Sequence, residues 1–215
     1  MPGGCHQDEG ERTANLRWEQ RPALLSMAKH FLSIEPAHRE FISRQRIFFT
    51  ASAASSGRVN VSPKDAAALR VLSPNQVVYL DMTGSGNETA AHLLADGRLT
   101  LMFCALEGAP LILRLYGRGR VLARGSAEYM KFLQSEFGDE ERPGARQMFV
   151  LEVESVQTSC GYGVPVFEYA NERDTLTRWA VAKGADGLRD YRKAKNMTSI
   201  DGLPTGLPET EARLP

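Results

Sequence analysis

Through the middle of the chain apolar and polar residues alternate in short runs, and toward both ends the repeat lengthens to that of helices. "RIFFTASA" (46–53) and "RVNVSPKD" (58–65) flank "SSG", a pattern that predicts a β-hairpin. "LRVLSPNQVVYLDM" (69–82) gives two more extended pieces split by a Ser-Pro-Asn turn. Further strands are expected at "RLTLMFCA" (98–105), "PLILRLYGRGRVLA" (110–123) and "RQMFVLEVESVQTS" (146–159). Helices are predicted from Pro22 to about Ser33, with Leu24, Leu25, Ala28, Phe31 and Leu32 on one face, and after Pro36, with Phe41 and Ile42 turned inward. Three more are expected at about 87–95, 125–137 and 172–195. Six or seven strands joined by hairpins and short turns imply antiparallel pairing and a closed or nearly closed barrel, an α+β fold.

Residues 1–19 read as a flexible N-terminal segment, 20–170 as the strand-rich domain with its leading helices, and 171–215 as C-terminal helices and a tail. The tail, "SIDGLPTGLPETEARLP", is expected to run extended along the surface because it is rich in Gly and Pro. A chain of 215 residues with 42% apolar content suits one domain with a real core. Lys plus Arg equals Asp plus Glu, 26 each, so no global field draws the protein to nucleic acid or an anionic membrane. Any basic site must be local. Cys5, Cys104 and Cys160 form no CxxC pair, which fits a reducing compartment better than a disulfide-built fold. The N-terminus lacks the basic-then-apolar order of a signal peptide, and no run approaches the roughly 20 apolar residues that span a bilayer. A soluble, cytoplasmic protein is expected.

The segment "YLDMTGSGNETAAHLL" (79–94) ends an apolar run in a turn with two glycines and opens a helix. Three readings compete for it. In a capping box, Ser85 as N-cap and Glu88 would satisfy each other's orphan amides. In a dinucleotide fold, Gly84-x-Gly86 would begin the glycine fingerprint and Glu107 would hold the ribose, but hairpin strands follow where further βα units are needed. In a phosphate site, free amides and the helix dipole would face the anion, with Thr83, Ser85, Asn87 and Thr89 adding hydrogen bonds.

Asn60, Ser62 and Lys64 alternate in "VNVSPKD", so all three share one strand face, and Pro63 implies an edge or a bulge. This face is either solvated or lies beside a planar ligand whose phosphate Lys64 reaches. Arg114, Tyr116, Arg118 and Arg120 form a basic stripe in which Gly117 and Gly119 introduce a possible bulge. Arg118 is the member assigned to a ligand anion; the others are expected on a solvent face or across from Glu152 and Glu154. The four histidines share no ligand spacing and no HExxH occurs, so metal chemistry finds no support. His92 is expected at or near the surface. Cys104 reads as apolar filler, and Cys160, in a glycine-rich loop, as a candidate reactive thiol for which no basic partner can be placed.

The stretches "FFTASAASSGRVNVSPKD", "VVYLDMTGSGNETAAHLLADGRLTLMF", "LILRLYGRGRVL" and "SCGYGVP" together resemble the pyridoxamine 5'-phosphate oxidase-like, FMN-binding split-barrel family. The resemblance covers roughly residues 36 to 165. It implies an antiparallel six-stranded split β-barrel with flanking helices, a homodimer with FMN at the subunit interface, and a small-molecule substrate. It implies that Asn60, Val61 and Ser62 run along the flavin ring, and that Thr83, Gly84, Ser85, Gly86, Asn87 and Thr89 hold the ribityl phosphate. Lys64 and Arg118 would be its cations. The chain lacks the arginine that opens the Arg-x-Val-Leu-Leu-Lys strand of pyridoxamine phosphate oxidase itself, and the Ser-Arg-Lys run of its phosphate turn. Vitamin B6 oxidation is therefore not expected. The function implied is an FMN-dependent oxidoreductase. Two alternatives remain open: a protein that stores or senses flavin, haem or deazaflavin without turnover, and an interaction module without cofactor.

Overall fold

The two longest strands, β7 (Ile112–Ala123) and β8 (Ala145–Ser159), pair antiparallel along nearly their whole length and set the frame of the fold. Leu113 and Leu115 of β7 face Phe149, Leu151, Val153 and Val156 of β8 within one buried cluster. The computed structural model describes residues 28–208. The remaining strands are β1 (Lys29–Phe31), β2 (Ile47–Ser52), β3 (Asn60–Asp65), β4 (Leu69–Ser73), β5 (Gln76–Met82) and β6 (Arg98–Cys104). The helices are α1 (Pro36–Ser43), α2 (Glu88–Ala95), α3 (Ala127–Phe137) and α4 (Thr175–Lys195).

All pairings are antiparallel, in the order β3-β2-β6-β7-β8-β5-β4, with β1 joined to β8 as well. This corrects the expected six-stranded barrel. Eight described strands form one curled sheet, a half-barrel with free edges at β3 and β4. Two features keep it open. Pro63 leaves edge strand β3 without one ladder donor. The other edge, β4, is short and loses register between Val71 and Ser73. The antiparallel sheet also removes the dinucleotide-fold reading, and Glu107 accepts the Tyr169 amide instead of lying near the glycine turn.

Residues 22–27 of the first predicted helix lie outside the described residues. Lys29–Phe31, at its end, form β1 and pair with Thr158, Gln157 and Val156. Strand β8 extends seven residues beyond its pairing with β5, which ends at Glu152, and that overhang is the template on which β1 lies. The predicted helix at 172–195 is present as α4 and is interrupted at Gly184, whose φ of 64° places it in the left-handed region. No described helix is long and apolar enough to cross a membrane.

Two apolar clusters sandwich the sheet. On one face Phe48 stacks on Phe103 at 5.8 Å and meets Tyr79 edge-on at 5.4 Å, beneath α1 and α2. On the other, Tyr129 and Leu133 of α3 cover Val78, Leu80, Met148 and Val150. Between Tyr116 and Gly117 the β7–β8 register shifts, and the unpaired extra residue is Glu154 of β8. The bulge therefore sits on β8, so β7 keeps its alternation and the basic stripe stays on one face.

Candidate functional site

Strand β3 turns back on β2 with Asn60, Ser62 and Lys64 on its inner face, while Val59 and Val61 stand 70% and 60% exposed. The inner polar groups are already ordered. Ser62 Oγ donates to Asn60 Oδ1 at 3.0 Å, and Asn60 Nδ2 donates to Thr89 Oγ1 of α2 at 3.2 Å. Thus β3 and the first turn of α2 are tied across a gap.

The glycine turn fills the other side of that gap. Helix α2 begins at Glu88 with Asn87 as N-cap, and no side chain caps it. The expected Ser85–Glu88 capping box is replaced by tertiary contacts. Glu88 accepts the Ile200 amide at 3.1 and 3.0 Å, and Asn87 Oδ1 accepts Gln147 Nε2 at 2.7 Å. Neither Gly84 nor Gly86 has a positive φ. A Cβ on Gly84 would meet nothing nearer than the Met82 carbonyl at 3.9 Å. Neither packing nor backbone strain therefore requires a glycine at 84.

The tail supplies the last wall. Its residues 209–215 lie outside the described residues, and the part before them does not run extended as expected: Thr198 bridges Pro204, the Ser199 amide donates to the Leu203 carbonyl, and the Thr205 amide donates to the Met197 carbonyl. Asn196, fully buried, donates to the Gly84 carbonyl at 3.0 Å, and its own carbonyl accepts Thr205 Oγ1 at 2.6 Å. Arg58 at the rim pairs with Asp201. These walls enclose a cavity of about 700 Å³, a size typical of small-molecule and cofactor pockets.

Its floor carries the charge. Asp81 is 1% exposed and Arg146 3%. Arg146 donates to Asp81 Oδ2 through Nε at 3.0 Å and Nη2 at 2.6 Å, and its Nη1 donates to the Gly86 carbonyl at 3.0 Å. Lys64 Nζ donates to Asp81 Oδ1 at 2.9 Å, and Gln147 adds another donor to Oδ2. Burial alone would raise the Asp81 carboxyl, but Arg146 and Lys64 outweigh it and hold the group at about 2. A carboxylate depressed in the folded state stabilises above its unfolded value and loses that contribution as pH falls through the folded one. Folding free energy is therefore expected to drop between about pH 4 and pH 2, by about 2 kcal/mol from this group. Urea unfolding across that range should show the drop in the wild type and a shallower one in Asp81→Asn.

Of the residues assigned from sequence, Asn60, Ser62, Lys64, Gly84, Ser85, Gly86, Asn87 and Thr89 all line this cavity. Three do not. Val61 points to the opposite face of β3. Thr83 lies behind the turn, where its Oγ1 donates to the Gly144 carbonyl at 2.9 Å and accepts Arg192 Nε at 2.8 Å. Arg118 is exposed and donates to the Asp96 carbonyl at 2.6 Å, where it serves the C-terminal end of α2. The cavity also has residues that sequence reasoning missed: Arg146, Lys195, His92, Ser199 and Ile200. One signal was available, since Asp81 interrupts the apolar run of β5, and an isolated charge in a buried strand needs a partner. Four cationic side chains (Arg58, Lys64, Arg146 and Lys195) and two carboxylates (Asp81 and Glu88) line the cavity, and Arg58 is already paired with Asp201 at its rim.

The family profile described as "Pyridoxamine 5'-phosphate oxidase" matches residues 34–160, more than half of the chain. A relative from Aspergillus flavus, the "Pyridoxamine 5'-phosphate oxidase family protein ustO", is 35% identical over 184 residues, covering 77% of this chain and 73% of its own. The chain belongs to the pyridoxamine 5'-phosphate oxidase family. Among solved structures it is similar to HupZ of Group A Streptococcus, at 18% identity and a TM-score of 0.44, over 57% of this chain and 91% of that one. It is also similar to an FMN-binding protein from Syntrophomonas wolfei, at 11% identity and a TM-score of 0.40, over 60% and 85%. These distant likenesses carry nothing about the ligand.

Proposed function

We propose that the chain binds FMN in this cavity and uses it for a redox reaction on a small molecule. The observation that carries the reading is the turn at Gly84, where nothing blocks ligand approach, set beside Lys64 and Arg146 in one cavity. The amides of Ser85 to Glu88 and the positive end of α2 would take the phosphate. Lys64 and Arg146, already fixed on Asp81, leave one net positive charge there to oppose it. Asn60 and Ser62, locked to each other and to Thr89, would present ordered polar groups to the ring system. When bound, the flavin supplies the electron-transfer chemistry, and the protein supplies position and electrostatics. A homodimer with the cofactor at the subunit interface accompanies this reading, supported by the exposed Val61 on edge strand β3 and Val59 just before it.

The test is a titration of the purified protein with FMN, followed by flavin fluorescence and the visible spectrum after desalting. Gly84→Val is expected to weaken FMN at least about tenfold, because its side chain would stand where the phosphate approaches, with thermal stability nearly unchanged. Equal affinity in both proteins would remove the phosphate from this turn. Reduction of the bound flavin by a nicotinamide cofactor and reoxidation by a defined acceptor would separate an enzyme from a storage protein.

A further inference from the structure

Helix α2 turns Thr89 and His92, three residues apart, toward the cavity. His92 is 1% exposed, and its Nδ1 lies 3.0 Å from the buried Ser52 Oγ of β2. Its Nε2 is buried and has no hydrogen-bond partner in the protein. Native structures seldom leave such an atom unpaired. Among the described residues Asn196 Oδ1 is the other unpaired case, but Asn196 is not part of the cavity lining. Lys64 and Arg146 are committed to Asp81, and Asn60, Ser62 and Thr89 to one another. His92 therefore brings an uncommitted polar atom to this wall. Helical side chains lean toward the helix N-terminus, which directs the imidazole back toward the glycine turn. The Ser52 hydroxyl both donates and accepts, so it fixes the ring whichever nitrogen carries the proton.

We propose that His92 is a ligand contact whose Nε2 hydrogen-bonds an oxygen of the ribityl phosphate chain, with Ser52 as the positioning residue. The inference rests on the FMN reading of this cavity. The test is a titration of His92→Phe, His92→Gln and His92→Asn with FMN and with riboflavin, read by flavin fluorescence, with melting temperatures of the ligand-free proteins alongside. His92→Phe is expected to weaken FMN about tenfold, the scale of one buried hydrogen bond left unmade. His92→Gln, whose amide reaches the Nε2 position, restores part of the affinity, and His92→Asn, which reaches only Nδ1, does not. A loss shared by riboflavin identifies a ribityl hydroxyl as the partner, and a loss confined to FMN identifies the phosphate. Unchanged FMN affinity in His92→Phe overturns the contact while leaving the cavity's assignment intact. So does equal weakening in the Gln and Asn variants that tracks their melting temperatures, since that is the mark of a structural role. A wild-type protein that binds neither flavin overturns the FMN reading itself.

Discussion

Replacing Arg146 with methionine is expected to cost about 3 to 5 kcal/mol of folding stability, the range for breaking a buried ion pair from one side. Methionine fills much of the volume, so the loss is electrostatic and not a cavity effect. Asp81 would remain 1% exposed, with Lys64 and Gln147 as its remaining donors. Its carboxyl should then titrate higher, and the acid limb of stability should move toward neutral pH. The Gly86 carbonyl would also lose its donor, so the glycine turn should loosen and FMN affinity fall. Urea unfolding at pH 7 measures the first effect. The double variant Asp81→Leu/Arg146→Met should lose less than the two single losses combined, because it removes the stranded charge. A single-variant loss below about 1 kcal/mol, the range of an exposed pair, would contradict the buried charge cluster.

The second large effect is at Gly117→Ala. An added Cβ would lie 1.9 Å from the Glu152 carbonyl oxygen, 2.9 Å from its carbon and 3.1 Å from the Glu154 nitrogen. All three are backbone atoms, so no side chain can turn aside. Either β7 and β8 separate, or the bulge at Glu154 slides, which would carry Val153 or Val156 off the core face, depending on its direction. A loss of about 3 kcal/mol or more, or insoluble protein, is expected for this overpacking. Gly119→Ala is the control. Its Cβ would meet methyl groups of Leu93 and Leu99 at 2.8 Å, and those side chains can give way. It should be clearly milder, and parity between the two variants would contradict the close approach at the bulge.

Most of the sheet was readable from sequence because its strands alternate locally. The β2–β3 hairpin, the β4–β5 pair and the helix after the glycine turn depend on neighbours a few residues away. What was not readable depends on distant partners. The three residues of β1 fit a helical face as well as a strand, and only the overhang of β8 decides between them. Whether the sheet closes is settled between β3 and β4, neighbours in the chain that stand at opposite ends of the strand order, where Pro63 and the irregular end of β4 leave it open. That the inner face of β3 and the glycine turn would line one cavity was legible in part, because polar spacing shows which side chains share a face. Arg118 was misplaced because a basic stripe does not say which end of the sheet it faces, and here it meets the wrong end of α2. Arg146 reaches Asp81 across 65 positions, and no local pattern records that pairing. The tail misled for a related reason: Gly and Pro suggested a surface run, while buried Asn196 and Thr205 anchor it in the cavity wall.

That wall bears on when the site comes into being. Asn196 grips the turn 112 positions before it, and Asp201 meets Arg58 across 143. A nascent chain that has exposed β3, β5, α2 and β8 holds Lys64, the glycine turn, His92 and Arg146, and still lacks one side of the pocket. Closing loops of that length is slow compared with forming hairpins. The cavity is thus completed only by the last residues of its wall, and a ribosome stalled before Asn196 would hold every described strand with this side of the cavity still open to water.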